Sequence, residues 1–319
     1  MEPGVIRSIV EERWPPGVVA STSVLAEAGI GDRLLTAAVR GRIVIRLRRG
    51  AYILGRVWRS SSPWDRDLYR IYAHAASTRR QSVYSHVSAA RLAGCSTWSA
   101  GDRVHVTVPY SSSPTSHGAD VASHSAPVGD ADLAELVREG RVLRLTSLNR
   151  TVADCARILA LEPAAIIGDH ALRLGATLDG IAEAAERTGA IRGYRRVERL
   201  LSALDPRSES PGETRTRLML ASAGMAQPEL QFEIRTEEGL FRADFAWPEL
   251  RVILEFDGDT KYFDYRPAAE VLLAERRAEN ALIAAGWIVV RIRWSELATP
   301  GVVEAKLRAA FARAAKLAG

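Results

Sequence analysis

The sequence predicts a multidomain α+β / α/β chain of three segments, and three observations carry that prediction. At about 100–200 residues per domain, a chain of 319 residues makes two or three domains. The apolar spacing switches between a helical period and a strand period. A polar, turn-rich run, Asp205-Pro206-Arg207-Ser208-Glu209-Ser210-Pro211-Gly212, reads as a linker. The expected divisions are 1–62, 63–205 and 206–319. A composition of 47% hydrophobic and 25% charged residues is ordinary for globular proteins, which excludes wholesale disorder.

In the first segment Val5, Ile6, Ile9 and Val10 give Val5–Arg13 a helical spacing, and Pro15-Pro16-Gly17 ends it. Ser21-Thr22-Ser23 offers caps for a short helix through Ala28, stopped by Gly29. Gly31-Asp32 opens a helix from Arg33 to Arg40, closed by Gly41. The stretch Ile43–Leu54 is β-rich with Arg49-Gly50 as its turn. Helices followed by a basic hairpin, in that order, make a winged helix-turn-helix.

The middle segment reads as an α+β domain. Its expected elements are a helix over Asp65–Ser77, a short helix over Ser85–Leu92 and a strand over Arg103–Pro109. A Ser- and Pro-rich loop, Tyr110–Gly118, follows. Helices are then expected over Asp130–Glu139, Thr151–Leu159 and Pro163–Leu174. No catalytic cluster stands out there, and His86 and Asp154 read as hydrogen-bonded structural residues. The last segment reads as a helix (Pro211–Ala223) and three strands (Leu230–Thr236, Leu240–Ala246, Arg251–Phe256), turning at Glu238-Gly239 and Pro248-Glu249. A helix (Pro267–Ala285), a strand (Trp287–Ile292) and a helix (Gly301–Leu317) complete the order αβββαβα.

Charge is unevenly placed. Residues 1–80 hold 14 Arg against 7 acids, while 81–205 and 206–319 are each close to balance, so the formal charge of +5 comes from the first quarter. That is the footprint of a polyanion partner, most simply nucleic acid. On the helix, Arg33, Thr36, Ala37 and Arg40 recur at helical spacing and are candidates to face a DNA groove. On the hairpin, Arg46, Arg48 and Arg49 are candidates to meet phosphates. Cys95 and Cys155, the only cysteines, read as small core residues and cannot build a disulfide framework or a Cys-rich zinc site. No run approaches the roughly 18–20 apolar residues of a membrane helix, and Met1-Glu2-Pro3-Gly4-Val5 lacks a signal-peptide pattern. A cytoplasmic location and no membrane partner are expected.

The residues that point to chemistry lie in the last segment. Asp244 precedes the Pro248-Glu249 turn and Glu255 follows it by a similar distance, which sets two carboxylates at similar heights on neighbouring strands. Glu255 and Asp257, two apart, share a face. Oxygen donors without nearby His or Cys favour Mg²⁺ or Mn²⁺. Lys261, one of three lysines, could steady developing negative charge there. Glu213 lies in Ser210-Pro211-Gly212-Glu213, which also matches a capping box.

Asp244 with Glu255-Phe256-Asp257 inside αβββαβ resembles the PD-(D/E)XK nuclease superfamily, whose fold is restriction-endonuclease-like. The run Glu255-Phe256-Asp257-Gly258, the helix Glu275-Arg276-Arg277-Ala278-Glu279-Asn280 and Ala285-Gly286-Trp287-Ile288-Val289-Val290-Arg291 are similar to the very-short-patch-repair-endonuclease-like branch. The resemblance implies an endonuclease in which Asp244 and Glu255 hold the metal and Glu213 takes the first-helix acidic position. The superfamily's basic residue would fall two after Glu255. That position is Asp257, so Lys261 would supply a migrated amine or Asp257 would be a further ligand.

The hairpin end Arg48-Arg49-Gly50-Ala51-Tyr52-Ile53-Leu54 resembles the N-terminal domain of AbiEi-type antitoxins. Ser85-His86-Val87-Ser88-Ala89-Ala90, Thr146-Ser147-Leu148-Asn149-Arg150-Thr151-Val152-Ala153-Asp154 and Asp169-His170-Ala171-Leu172-Arg173 are similar to the block that follows it. This resemblance implies a toxin–antitoxin setting, with double-stranded DNA and a toxin protein as partners. Three readings follow. The chain is a DNA-binding, Mg²⁺-dependent endonuclease, or it is an antitoxin-like transcriptional repressor whose degenerate nuclease fold serves binding or homodimer formation, or it is a defence effector whose nuclease acts on RNA or on phage DNA.

Overall fold

In a computed structural model, the described residues are 2–78, 81–109, 118–189, 192–258, 268–299 and 301–318. Among these residues the fold is mixed α+β with three sheets. It divides into two compact units, one of Met1–Ile167 with Leu174–Ser202, the other of Gly168–Arg173 with Ala203–Gly319.

The first unit begins with α1 (Pro3–Arg13), β1 (Val19–Ser21), α2 (Thr22–Glu27) and α3 (Asp32–Arg40). Ser21 caps α2 by accepting the Val24 N–H at 3.4 Å. The hairpin β2 (Val44–Arg48) and β3 (Ala51–Leu54) turns at Arg49-Gly50, and β1 adds to it in the order β1-β3-β2. Sequence reading missed β1, because three residues are too few to show a period of two. Ile6, Val10, Leu25, Leu35, Ala38 and Val44 fill the core beneath these elements. Next come α4 (Gly55–Ser60) and α5 (Pro63–Ser77), the latter opened by a Ser62–Asp65 capping box.

A five-stranded sheet of order β6-β5-β4-β8-β7 follows. Its strands are β4 (Val83–Tyr84), β5 (Val104–Val108), β6 (Val121–Ser125), β7 (Leu133–Arg138) and β8 (Arg141–Thr146), with α6 (His86–Leu92) after β4. The helix expected over Asp130–Glu139 is a correction. Asp130–Asp132 forms a single 3₁₀ turn and Leu133–Arg138 is a strand paired antiparallel with β8. Leu133, Leu136 and Val137 do carry a helical spacing. The two-residue turn Glu139-Gly140 overrides it, with φ of 52° and 66°, as a hairpin turn of right-handed twist requires. Four helices end the chain before the linker: α7 (Leu148–Ile158), α8 (Leu161–Arg173), α9 (Leu178–Arg187) and α10 (Tyr194–Leu201). Sequence reading did not anticipate the last two. Among the described residues no helix is long and apolar enough to cross a membrane.

The second unit contains α11 (Pro211–Ser222), β9 (Glu229–Thr236), β10 (Gly239–Trp247), β11 (Val252–Asp257), α12 (Ala268–Ala284), β12 (Ile288–Arg293), α13 (Trp294–Leu297) and α14 (Val302–Ala318). The sheet order is β12-β11-β10-β9, with β11 and β12 parallel and the other pairs antiparallel. Alternation along β11 explains its two faces. Val252, Leu254 and Phe256 join a core with Leu220, Ile292, Val303 and Leu307. Ile253 joins a second core with Ile234, Ala243, Ala246 and Leu282. Apolar cover on both faces leaves polar positions only at the strand end, where Glu255 and Asp257 lie.

Candidate functional site

The β10–β11 ladder runs through Trp247–Val252, Ala246–Ile253 and Phe245–Leu254, although both strands extend further. Asp244 and Glu255 stand at the point where it stops, and their carboxylates fill the gap. Glu255 Oε1 accepts the Asp244 backbone N–H at 3.2 Å, and Asp244 Oδ2 accepts the Phe256 N–H at 2.8 Å. The β9–β10 register also steps over Asp244 and its counterpart Gln231, which adopts a φ of 56°. Asp244 therefore sits on a local irregularity, as residues re-aimed next to functional sites commonly do.

Glu213 lies nearby on α11. Its N–H is capped by Ser210 Oγ at 3.2 Å, and its Oε2 accepts the Glu209 N–H at 2.8 Å and Gln231 Nε2–H at 2.9 Å. Burial, and then the negative charge of Asp244, raise its pKa above its ordinary value. Of the capping box foreseen in the sequence only the Ser210 half forms, since Glu213 reaches back to the Glu209 N–H instead of that of Ser210, and the same side chain feels Asp244. Gly212 brings α11 this close: a Cβ there would collide with the Phe256 ring. A pair of carboxylates side by side at the end of a ladder is a donor set of the kind a hard divalent ion takes. Glu213, Asp244 and Glu255 do not draw together as a set as tightly as a three-ligand cage would require.

Asp257 turns to another partner. Its Oδ1 lies 3.5 Å from Arg291 Nη1, and Arg291 Nη2 lies 3.2 Å from Glu279. The position where a lysine is expected by resemblance thus holds an acid paired with arginine. Lys261 falls outside the described residues, and of Glu275 only its place on α12 is described.

In the first unit, Arg33, Thr36 and Arg40 are exposed on one face of α3, while Leu35 and Ala38 are buried on the other. With Pro3, Asp32 and Ala37 they line a shallow groove. Arg46 and Arg49 on the hairpin are exposed. Arg48 differs: its side chain is 18% exposed and its Nη1 lies 3.4 Å from Asp120. Arg46 and Arg49 are therefore the hairpin cations turned to solvent.

Two constellations escaped sequence reading. Arg150 is wholly buried, with Nε 2.9 Å from Asp154 Oδ1 and Nη1 2.9 Å from Asp132 Oδ2, while Arg187 meets Asp132 at 2.8 Å. The second is a trio of imidazoles. His86, at the start of α6, His105 on β5 and His124 on β6 each offer a ring nitrogen within 4.8 Å of the others. Among the described residues this is the one group of three or more His, Cys, Asp or Glu so closely placed. His105 Nδ1 and His124 Nε2 are 3.0 Å apart. Burial lowers all three pKa values, helped by the neighbouring rings and by arginines, His105 to about 3 and His124 to about 4, with His86 well below its usual value. The only local signal was His86 itself; parallel pairing of β5 with β6 supplies the other two.

No family model matches the chain. Over 144 residues it is 30% identical to two uncharacterized proteins of Mycobacterium tuberculosis, MT2308 of strain CDC 1551 / Oshkosh and Rv2248 of strain H37Rv. The match covers 44% of this chain and 52% of each relative, so the chain spans about half the length of the curated relatives it matches. Among solved structures, the crystal structure of the Rv2827c protein from Mycobacterium tuberculosis aligns with a TM-score of 0.42 and 14% identity. It covers 73% of this chain and 89% of that one.

Proposed function

We propose that the protein binds double-stranded DNA through a winged helix-turn-helix at its start and hydrolyses phosphodiester bonds through a restriction-endonuclease-like second unit that uses Mg²⁺ or Mn²⁺. One observation supports this reading: Asp244 and Glu255 stand opposite each other where the β10–β11 ladder stops, each anchored by a backbone N–H of the other's strand. Those N–H bonds orient both carboxylates, whose oxygens are hard donors of the kind Mg²⁺ and Mn²⁺ take. When bound there, a divalent ion would lower the pKa of a water and polarise the phosphate. Asp244 and Glu255 would hold and orient it. Glu213, buried and pushed toward its protonated form, would tune the charge of the pair.

Plasmid cleavage in Mg²⁺ or Mn²⁺ tests this. Asp244→Ala with Glu255→Ala should abolish nicking and leave duplex binding nearly intact; unchanged cleavage removes the site from the chemistry. The Asp257–Arg291 pair favours a second reading, an antitoxin-like transcriptional repressor with a non-catalytic nuclease fold and a toxin protein or a second copy as partner. A wild-type chain that binds duplex DNA and never nicks it would support that reading.

A further inference from the structure

We propose that His86, His105 and His124 form a binding site for a zinc-class transition-metal ion in the first unit, separate from the carboxylate pair and independent of the nuclease reading. The ligand atoms are within 4.8 Å of one another, and one pair is at 3.0 Å. Zinc–nitrogen bonds of about 2.0–2.1 Å in a tetrahedral site put ligand nitrogens about 3.3 Å apart. Closing on an ion replaces the His105 Nδ1–His124 Nε2 hydrogen bond and turns the three rings, now within 12–32° of parallel, until their lone pairs converge. His86, whose ring is stacked on His124 with centroids 3.7 Å apart, must turn most.

The surroundings suit metal ligands. His86 and His105 are buried, and His124 is partly exposed, which gives an ion a way in. His86 Nδ1 lies 2.9 Å from Ser85 Oγ, which already accepts the Thr107 hydroxyl at 2.7 Å. With its proton on Nδ1, His86 donates to Ser85 and keeps the Nε2 lone pair for an ion, the usual way a metal-bound imidazole is oriented. The His105 backbone is pinned as well: its N–H donates to Ser88 Oγ at 2.8 Å and its C=O accepts the Ser85 N–H at 3.1 Å. His86 holds a φ of 50°, a strained conformation for a non-glycine residue. Arg91, Arg103, Arg150 and Arg157 act on these rings. Their charge opposes any cation, so an ion here is held by its bonds to neutral imidazole nitrogens, the donor type that suits zinc-class ions and not Mg²⁺ or Ca²⁺. Three imidazoles leave a fourth position for water or a small ligand.

The test strips the full chain with a chelator and titrates Zn²⁺ and Co²⁺ into the Asp244→Ala/Glu255→Ala background, so that the carboxylate pair contributes nothing. The expected result is one ion per chain at micromolar or tighter Kd, with the strong visible bands of four-coordinate Co²⁺. His124→Gln, at the most exposed of the three positions, should weaken binding by more than the ~10–100-fold typical of losing an outer partner. Should that variant not fold, X-ray absorption of the Zn²⁺-loaded wild type reads the site directly, with imidazole scatterers expected at about 2.0–2.1 Å. No stoichiometric ion at millimolar metal, binding unchanged by His124→Gln, or a spectrum without imidazoles overturns the proposal.

Discussion

Arg150 is the residue on which the first unit's polar interior turns. Two acids, Asp132 and Asp154, meet it in the core, and burial raises the pKa of Asp154 against the lowering effect of Arg150. Removing the cation leaves buried carboxylates short of their partner, which costs about 3–5 kcal/mol. Arg150→Ala should therefore sharply lower the denaturant midpoint, and Arg150→Lys should restore only part because it has no planar fork. Chemical denaturation followed by circular dichroism checks both. Gly212 plays the comparable part in the second unit. Its place against Phe256, itself packed edge-on to Trp294 at 5.0 Å, leaves no room for a methyl group. Gly212→Ala should cost about 1–3 kcal/mol by overpacking, and it should disturb Glu213 one residue on. A thermal midpoint that does not fall would show that α11 can lift away from β11 freely.

At the scale of elements, much of the architecture was legible because local signals agreed with it. Ser21 and Ser210 marked helix starts that the structure places at α2 and α11. Asp244 and Glu255 could be placed together because a tight turn joins their strands, and equal distances from a turn end at equal heights. Elements failed where the deciding contact was remote. Leu133–Arg138 looks helical by itself and becomes a strand only because β8 lies beside it. The imidazole trio was illegible for the same reason, since His105 and His124 are 19 residues apart in sequence and meet only because their strands pair in parallel. The hairpin β2–β3 gives a prediction of its own. Arg46 and Arg49 are exposed, while Arg48 leans on Asp120. Reversing Arg46 and Arg49 to Glu should weaken duplex binding and flatten the dependence of log K on log[salt] by about 0.9 per lost phosphate contact. Arg48→Glu alone should act mainly through stability, by repelling Asp120. An unchanged slope in the double variant would take the hairpin out of the interface.

For the whole molecule, the residues proposed to bind DNA and those proposed to cleave it are divided along the chain. The basic excess lies in residues 1–80, and the carboxylate gap lies in the unit that holds Ala203–Gly319. Under the proposed function the two sets of substitutions act on different steps, and effects at independent sites usually add within about 0.3–0.5 kcal/mol. Affinity and hydrolysis should then separate cleanly. Under one salt series, Asp244→Ala/Glu255→Ala should keep the wild-type slope and lose cleavage. Arg46→Glu/Arg49→Glu should lose slope and, once DNA is supplied in saturating excess, recover the wild-type cleavage rate. Combining all four substitutions should give the sum of the two defects. A cleavage rate that stays low at saturating DNA in the arginine variant would mean that the hairpin positions the phosphate for Asp244 and Glu255 as well as raising its local concentration, and the division of labour would have to be abandoned.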